Sequence, residues 1–233
     1  MTIEGKAIEL FQADGPGAPL VVLNGEDGEG ALMWEAARAA TGVDFSLACI
    51  GGIDWDQELT PWPAPSPFGK RSDFAGGADA YLDALTERML PAIVSALGTK
   101  PEYVALAGYS LAGLFALYAL YRTDAFARVA SVSGSTWYPG FAEYALAHEM
   151  SRRPQRVYLS VGDREAKTRN AAMRSVEDNA RRLYAAYRDM GLDTTFELNS
   201  GGHFDHPTQR LARAIAWMVR ESLEWSYGKP CDP

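Results

Sequence analysis

A serine, then a carboxylate, then a histidine occur in this chain in an order that suits acyl transfer. The serine is Ser110, in Gly108-Tyr109-Ser110-Leu111-Ala112-Gly113. A serine hydroxyl is a weak nucleophile at neutral pH, and an imidazole within hydrogen-bond reach removes its proton as it attacks. A carboxylate behind the imidazole fixes the tautomer and stabilises the imidazolium. The chain offers three histidines. His203 follows two glycines, in Gly201-Gly202-His203, a loop that can turn tightly. His148 lies in a polar helical stretch ahead of the candidate acids, and His206 abuts Pro207 at a helix start, where its expected role is structural. The acid comes from Gly162-Asp163-Arg164-Glu165. Glu165, three places after the glycine, is the expected acid, with Asp163 as the alternative.

Each of these residues needs a rigid element to aim it. Tyr103-Val104-Ala105-Leu106-Ala107 reads as a buried strand leading into Ser110, and Leu114 to Tyr121 reads as a buried helix leading out. A serine between them sits on a sharp elbow that exposes its hydroxyl. The positions two before and two after it must be small. Gly108 fits, and Ala112 stands where a second glycine is usual. A helix N-cap serine is the plainer alternative. Residues 156–161 and 194–198 read as strands, so both the acid and His203 follow strand ends, where ligands bind in open α/β sheets. The oxyanion hole is expected from two backbone N–H groups, one from Leu111 and one from Glu26 in Asn24-Gly25-Glu26-Asp27-Gly28. Trp34, Trp55, Trp62, Phe68 and Trp137-Tyr138 lie near strand ends; Trp62 and Trp137, in loops at the same face, are the expected substrate-binding residues. His203, Asp205 and His206 lack a further ligand at supporting spacing, and Glu26 and Asp27 lack a regular cation-loop spacing, so neither metal nor cofactor is expected.

The rest of the chain alternates strand and helix. Residues 3–11 read as an edge strand, 20–24 and 45–50 as apolar strands, and 128–132 as another. Helices are expected at 31–41, at 76–97 with a bend at Pro91, and at 207–224. A further helix opens at Ser175, with Asp178 at the capping-box position, and runs to about residue 190. Residues 51–75 hold Pro61, Pro63, Pro65 and Pro67 and read as loop, the best candidate for a lid or pocket wall. This pattern implies a mostly parallel central sheet with helices on both faces, one α/β domain over 1–233, and no separate cap domain.

Bulk properties restrict the partners. A net charge of -8 disfavours nucleic acid and anionic membrane surfaces. No apolar run spans a bilayer and the first residues do not read as a signal peptide, so a cytoplasmic protein is expected. Cys49 lies in an apolar run and Cys231 in a polar tail; a disulfide between them does not suit a reducing compartment, and Cys49 reads as a small hydrophobe.

With these residues in place, the chain resembles the putative-esterase family of α/β-hydrolases, which holds enterochelin esterases, S-formylglutathione hydrolases, feruloyl esterases and mycolyltransferases. The resemblance rests on Leu23-Asn24-Gly25, the stretch Gly108 to Leu117, Val132-Ser133-Gly134-Ser135, Gly162 to Glu165 and Gly201-Gly202-His203. It implies nucleophile Ser110, base His203 and acid Glu165 in an α/β-hydrolase fold, and hydrolysis of a carboxylic ester through an acyl-enzyme. Enterochelin esterases often carry an additional N-terminal domain that has no counterpart here, and an anionic siderophore suits the net charge poorly, so that substrate is not carried over. Two other readings stay open: an acyltransferase using the same acyl-enzyme, and a non-catalytic binding protein on the same scaffold. The expected partner is a small-molecule ester, and the sequence leaves the oligomeric state open.

Overall fold

The structure is a computed structural model that describes residues 1–69 and 73–220. Eight of its strands form one sheet, in the order β1-β2-β4-β3-β7-β8-β9-β10. They are β1 (Thr2–Ile3), β2 (Lys6–Phe11), β3 (Leu20–Asn24), β4 (Ser46–Gly51), β7 (Val104–Tyr109), β8 (Arg128–Val132), β9 (Arg156–Gly162) and β10 (Asp193–Asn199). From β4 to β10 every pairing is parallel; β1 and β2 join antiparallel. The inner parallel strands are buried along nearly their whole length because both of their faces are covered, whereas β10, at the sheet edge, is polar and half-buried. Leu20 and Val22 of β3 enter one core, while Val21 and Leu23 enter the other.

Two helices cover one face: α1 (Gly30–Ala40) through Met33 and Ala37, and α8 (Pro207–Val219) through Leu211, Ile215 and Met218. The other face carries α3 (Ala78–Ala84), α4 (Leu90–Leu97), α5 (Ser110–Ala119), α6 (Phe141–Ala147) and α7 (Val176–Asp189). The mostly parallel, two-sided sheet expected from the sequence is therefore the fold observed. Two buried arginines anchor the far end of α8. Arg156 Nη1 donates to the carbonyls of Trp217 and Arg220, at 2.8 Å each, and Arg128 Nη1 donates to Met218 O. Cations suit the negative end of a helix. This anchoring holds the N-terminal end of α8 beside the strand ends that carry the site.

Four local expectations are corrected. Residues 3–11 are a hairpin, not one edge strand: Glu4 (φ 52°) and Gly5 (φ 75°) supply the positive φ pair that a tight turn needs, so β1 is the edge and β2 lies inside it. The 51–75 segment contains a one-turn helix α2 (Trp55–Glu58) and an antiparallel ribbon of β5 (Pro63–Ala64) and β6 (Phe74–Ala75). Asp54 starts α2 by accepting the Gln57 N–H at 3.2 Å, ahead of the first proline. The helix over 76–97 does not simply bend at Pro91. Residues Leu85–Met89 form a π turn in which Leu90 N–H donates to Leu85 O, which shifts the ladder one residue before the position where Pro91 has no N–H to give. The capping box at Ser175 does not form: Ala172–Ser175 is already a 3₁₀ turn, and the Ser175 hydroxyl donates back to Ala172 O. The proposed end of the last helix at 224 and the Cys231 side of any disulfide lie outside the described residues. Cys49 is buried in β4, and burial pushes its thiol up to about 12, which suits a packing role. No helix among the described residues is long and apolar enough to cross a membrane.

Candidate active site

β7 ends at Tyr109 and α5 begins at once with Ser110, whose φ is +56°. A non-glycine residue held in this region is strained, and such strain gathers where a side chain must be presented. The turn closes because Gly108 lacks a Cβ: one placed there would lie 2.3 Å from the Ala112 carbonyl carbon. Only one of the two positions needs to be bare, so the Ala112 methyl fits in the core beside Gly108.

The Ser110 hydroxyl lies 3.0 Å from His203 Nε2, and His203 Nδ1 lies 2.8 Å from Glu165 Oε2. An ionised carboxylate only accepts hydrogen bonds, so Nδ1 carries the proton and Nε2 is left to accept from Ser110. Glu165 is reached from the loop after β9. Its other oxygen accepts the Gly162 N–H at 2.6 Å and Arg210 Nη1 at 3.1 Å. Burial pushes the Glu165 carboxyl up. The hydrogen bond and charge of His203, the Ser133 hydroxyl and the Gly162 N–H outweigh that and hold it below its ordinary value. Asp163 does not approach the ring: its Oδ1 accepts the Gly201 N–H at 2.9 Å and so ties the acid loop to the histidine loop. Asp205 accepts the Gly202 N–H at 2.7 Å and pairs with Arg164, so it belongs to the same loop frame.

The other sequence candidates divide. Leu111 N–H sits in the first turn of α5, where a helix has no internal acceptor for it and its positive end favours anions. The Glu26 N–H, expected beside it, already donates to Glu29 Oε2 at 3.0 Å. Trp137 lines a cleft of about 1180 Å³ that also holds Ser110, His203 and Glu26. Trp62 does not line it. Its Nε1 donates to Pro139 O at 2.9 Å and its ring packs edge-on to Tyr144 at 5.4 Å. Trp55 and Phe68 are on the cleft wall, while Trp34, within α1, stacks on Phe11 of β2. His148 stacks on Tyr144 at 4.1 Å, and His206, exposed with φ +57°, opens α8.

Several residues here had no sequence assignment. Arg210 is 1% exposed and binds Glu165, Ser133 Oγ (3.0 Å), the Tyr109 hydroxyl (3.3 Å) and Ser200 O (3.0 Å). The signal was there to read: Arg210 shares the buried face of α8 with Ala214 and Met218, four and eight residues on, where an apolar side chain is the norm. The Tyr109 hydroxyl donates to His203 O and so holds the histidine loop from beneath. Phe204, 88% exposed, lies edge-on to His203 at the cleft mouth.

Comparison with known proteins places these features in context. The family described as "Putative esterase" matches residues 38–209, more than half of the chain. The uncharacterized protein YbbA of Bacillus subtilis (strain 168) is 27% identical over 180 residues, covering 74% of this chain and 69% of that protein. Among solved structures, the siderophore hydrolase EstA from Aspergillus nidulans is similar, with a TM-score of 0.72 at 22% identity, covering 92% of this chain and 89% of EstA. The BES protein from Bacillus cereus gives a TM-score of 0.70 at 19% identity, covering 95% and 94%. The enterobactin esterase FES from Shigella flexneri gives 0.68 at 20%, covering 91% of this chain and 55% of that one. At these identities the structural likeness speaks for the fold.

Proposed function

We propose that this chain, which belongs to the Putative esterase family and is a carboxylic ester hydrolase, works through an acyl-enzyme on Ser110. The observation that carries the reading is the hydrogen-bonded line Ser110–His203–Glu165, at 3.0 and 2.8 Å. In it Ser110 Oγ attacks the ester carbonyl while His203 Nε2 takes the hydroxyl proton. The oxyanion of the tetrahedral intermediate is held by the Leu111 N–H. Collapse breaks the bond to the alcohol, which leaves with the proton from His203. Water, deprotonated by the same imidazole, then releases the acid and restores Ser110. Glu165 keeps the ring in one tautomer and offsets its positive charge, and Arg210 holds Glu165 in place from inside the fold.

The cleft also bears on the substrate. Glu26, Glu29, Asp54 and Asp56 line it, and no lysine or arginine is among its described lining residues. Aromatic rings of Phe68, Trp137 and Phe204 lie on its wall and mouth. Such a site suits a neutral or cationic ester with an apolar portion. The siderophores named for the similar hydrolases are therefore not assigned to this chain.

A fluorophosphonate probe tests the reading. Mass spectrometry of the intact and digested protein is expected to place the adduct on Ser110. Ser110→Ala is expected to remove both the adduct and the hydrolysis of p-nitrophenyl esters while melting as the parent does. Turnover by the folded Ser110→Ala protein equal to the parent's rules the nucleophile out.

A further inference from the structure

Asn24, the last residue of β3, is 1% exposed and lines the same cleft. Its Oδ1 accepts the Tyr81 hydroxyl at 2.8 Å. Its Nδ2, by contrast, is buried with no hydrogen-bond partner among the described residues. A buried donor without an acceptor is rare in a folded protein and calls for a specific reason. The orientation of the amide is set by Tyr81. That phenol is deeply buried, and burial drives its ionisation well above the usual value, so it keeps its proton and donates. With Oδ1 accepting that proton, the NH₂ group faces away from Tyr81.

The sheet register says where that is. Asn24 pairs side by side with Gly108, two residues before Ser110. Alternation along β3 puts its side chain on the face of Leu20 and Val22, the face onto which Leu111 and Ala112 of the elbow helix pack. Tyr81 is fixed on that face as well, its ring 5.2 Å from that of Phe115 in α5. Asn24 and Leu111 thus line the same cleft from the same side of the sheet, Leu111 in the first turn of α5. The donor expected there from the neighbouring loop, Glu26 N–H, is occupied by Glu29.

We infer that the Asn24 side-chain amide is the second donor to the oxyanion, acting with the Leu111 N–H, and that Tyr81 orients it. The inference rests on the acyl-enzyme reading given above. An amide donor that meets an acceptor only when charge develops on the carbonyl oxygen lowers the barrier without tightening ground-state binding. It is left without a partner in the resting protein for that reason.

The experiment compares the parent with Asn24→Ala, Asn24→Asp and Tyr81→Phe. It measures kcat and KM on p-nitrophenyl butyrate, the inhibition constant of a trifluoromethyl ketone, and thermal unfolding. Asn24→Ala is expected to lower kcat about a hundredfold with little change in KM, and to weaken the ketone in proportion. Asn24→Asp keeps the shape and the bond to Tyr81 but replaces the donor by an acceptor. It is expected to lose at least as much, and it decides the matter should Asn24→Ala fail to fold. Tyr81→Phe leaves the donor present but unoriented, with an expected loss of about tenfold. A folded Asn24 variant with kcat within about threefold of the parent overturns the inference, as does a loss confined to KM. Fluorophosphonate labelling separates the two levels. A parent protein unlabelled at Ser110 removes the acyl-enzyme reading and this inference with it; a labelled parent with a fully active Asn24→Ala removes Asn24 alone.

Discussion

Glu165 and Asp163 stand two residues apart on one loop and do different work, because only one carboxylate reaches His203 Nδ1. Glu165→Gln keeps the shape and removes the acceptor charge, so kcat on a p-nitrophenyl ester is expected to fall by up to about four orders of magnitude. Asp163→Asn loosens the Gly201 N–H contact and is expected to cost far less. Kinetics in the reverse order move the acid to Asp163. The two variants also differ in their response to pH. The folded Glu165 carboxyl lies below its ordinary value: burial opposes ionisation, but His203, the Ser133 hydroxyl and the Gly162 N–H favour it more. Its contribution to stability is thus present above the unfolded carboxylate value and is lost as pH falls through the depressed folded value. Denaturant unfolding is expected to show the gap between parent and Glu165→Gln shrinking from roughly pH 5 downward. A gap that widens toward acid contradicts that sign.

At the scale of elements, the elbow between β7 and α5 is the part under most steric constraint. A methyl at Gly108 meets the Ala112 carbonyl carbon at 2.3 Å, and backbone cannot swing aside as a long side chain can. Gly108→Ala is therefore expected to destabilise by about 1–3 kcal/mol or more, as overpacked sites do. For a chain of this size that lowers Tm by about 2–4 °C per kcal/mol. Ala112→Gly removes a buried methyl from the first turn of a helix and is expected to cost about 1–2 kcal/mol. Circular dichroism melts of both variants check the pair, and a Gly108→Ala protein that melts with the parent refutes the packing argument. Long apolar runs made β3, β4, β7 and β9 readable from sequence, since both of their faces are buried. The hairpin of β1 and β2 and the π turn before Pro91 were not readable. They depend on local backbone angles and on a shifted hydrogen-bond ladder, which leave no apolar pattern.

At the scale of the whole molecule, charge is the property expected to discriminate among esters. The net charge of -8 and the four carboxylates along the cleft add to one field over the site. An ester with an anionic acyl group, such as a hemisuccinate, is expected to show a lower kcat/KM than a neutral ester of equal length. Added salt is expected to narrow the difference, because exposed charges are screened within about 10 Å at 0.1 M ionic strength. Equal kcat/KM for the two esters at low salt removes charge as a selector.

Residue types and their order along the chain determined the parallel sheet, the elbow and the three groups that could transfer an acyl group. These follow from burial on two faces and from small residues at a tight turn, both of which are written locally. The tertiary structure alone decided what depends on approach between distant segments. It brought Glu165, the acid already favoured by its place after Gly162, to a ring 38 residues away and turned Asp163 to the Gly201 N–H instead. It buried Arg210 behind that carboxylate, set Trp62 into an aromatic cluster off the cleft, and placed Glu29 on the Glu26 N–H. Such contacts are fixed by where loop ends and side chains meet in space, and a one-dimensional pattern holds no distance between them.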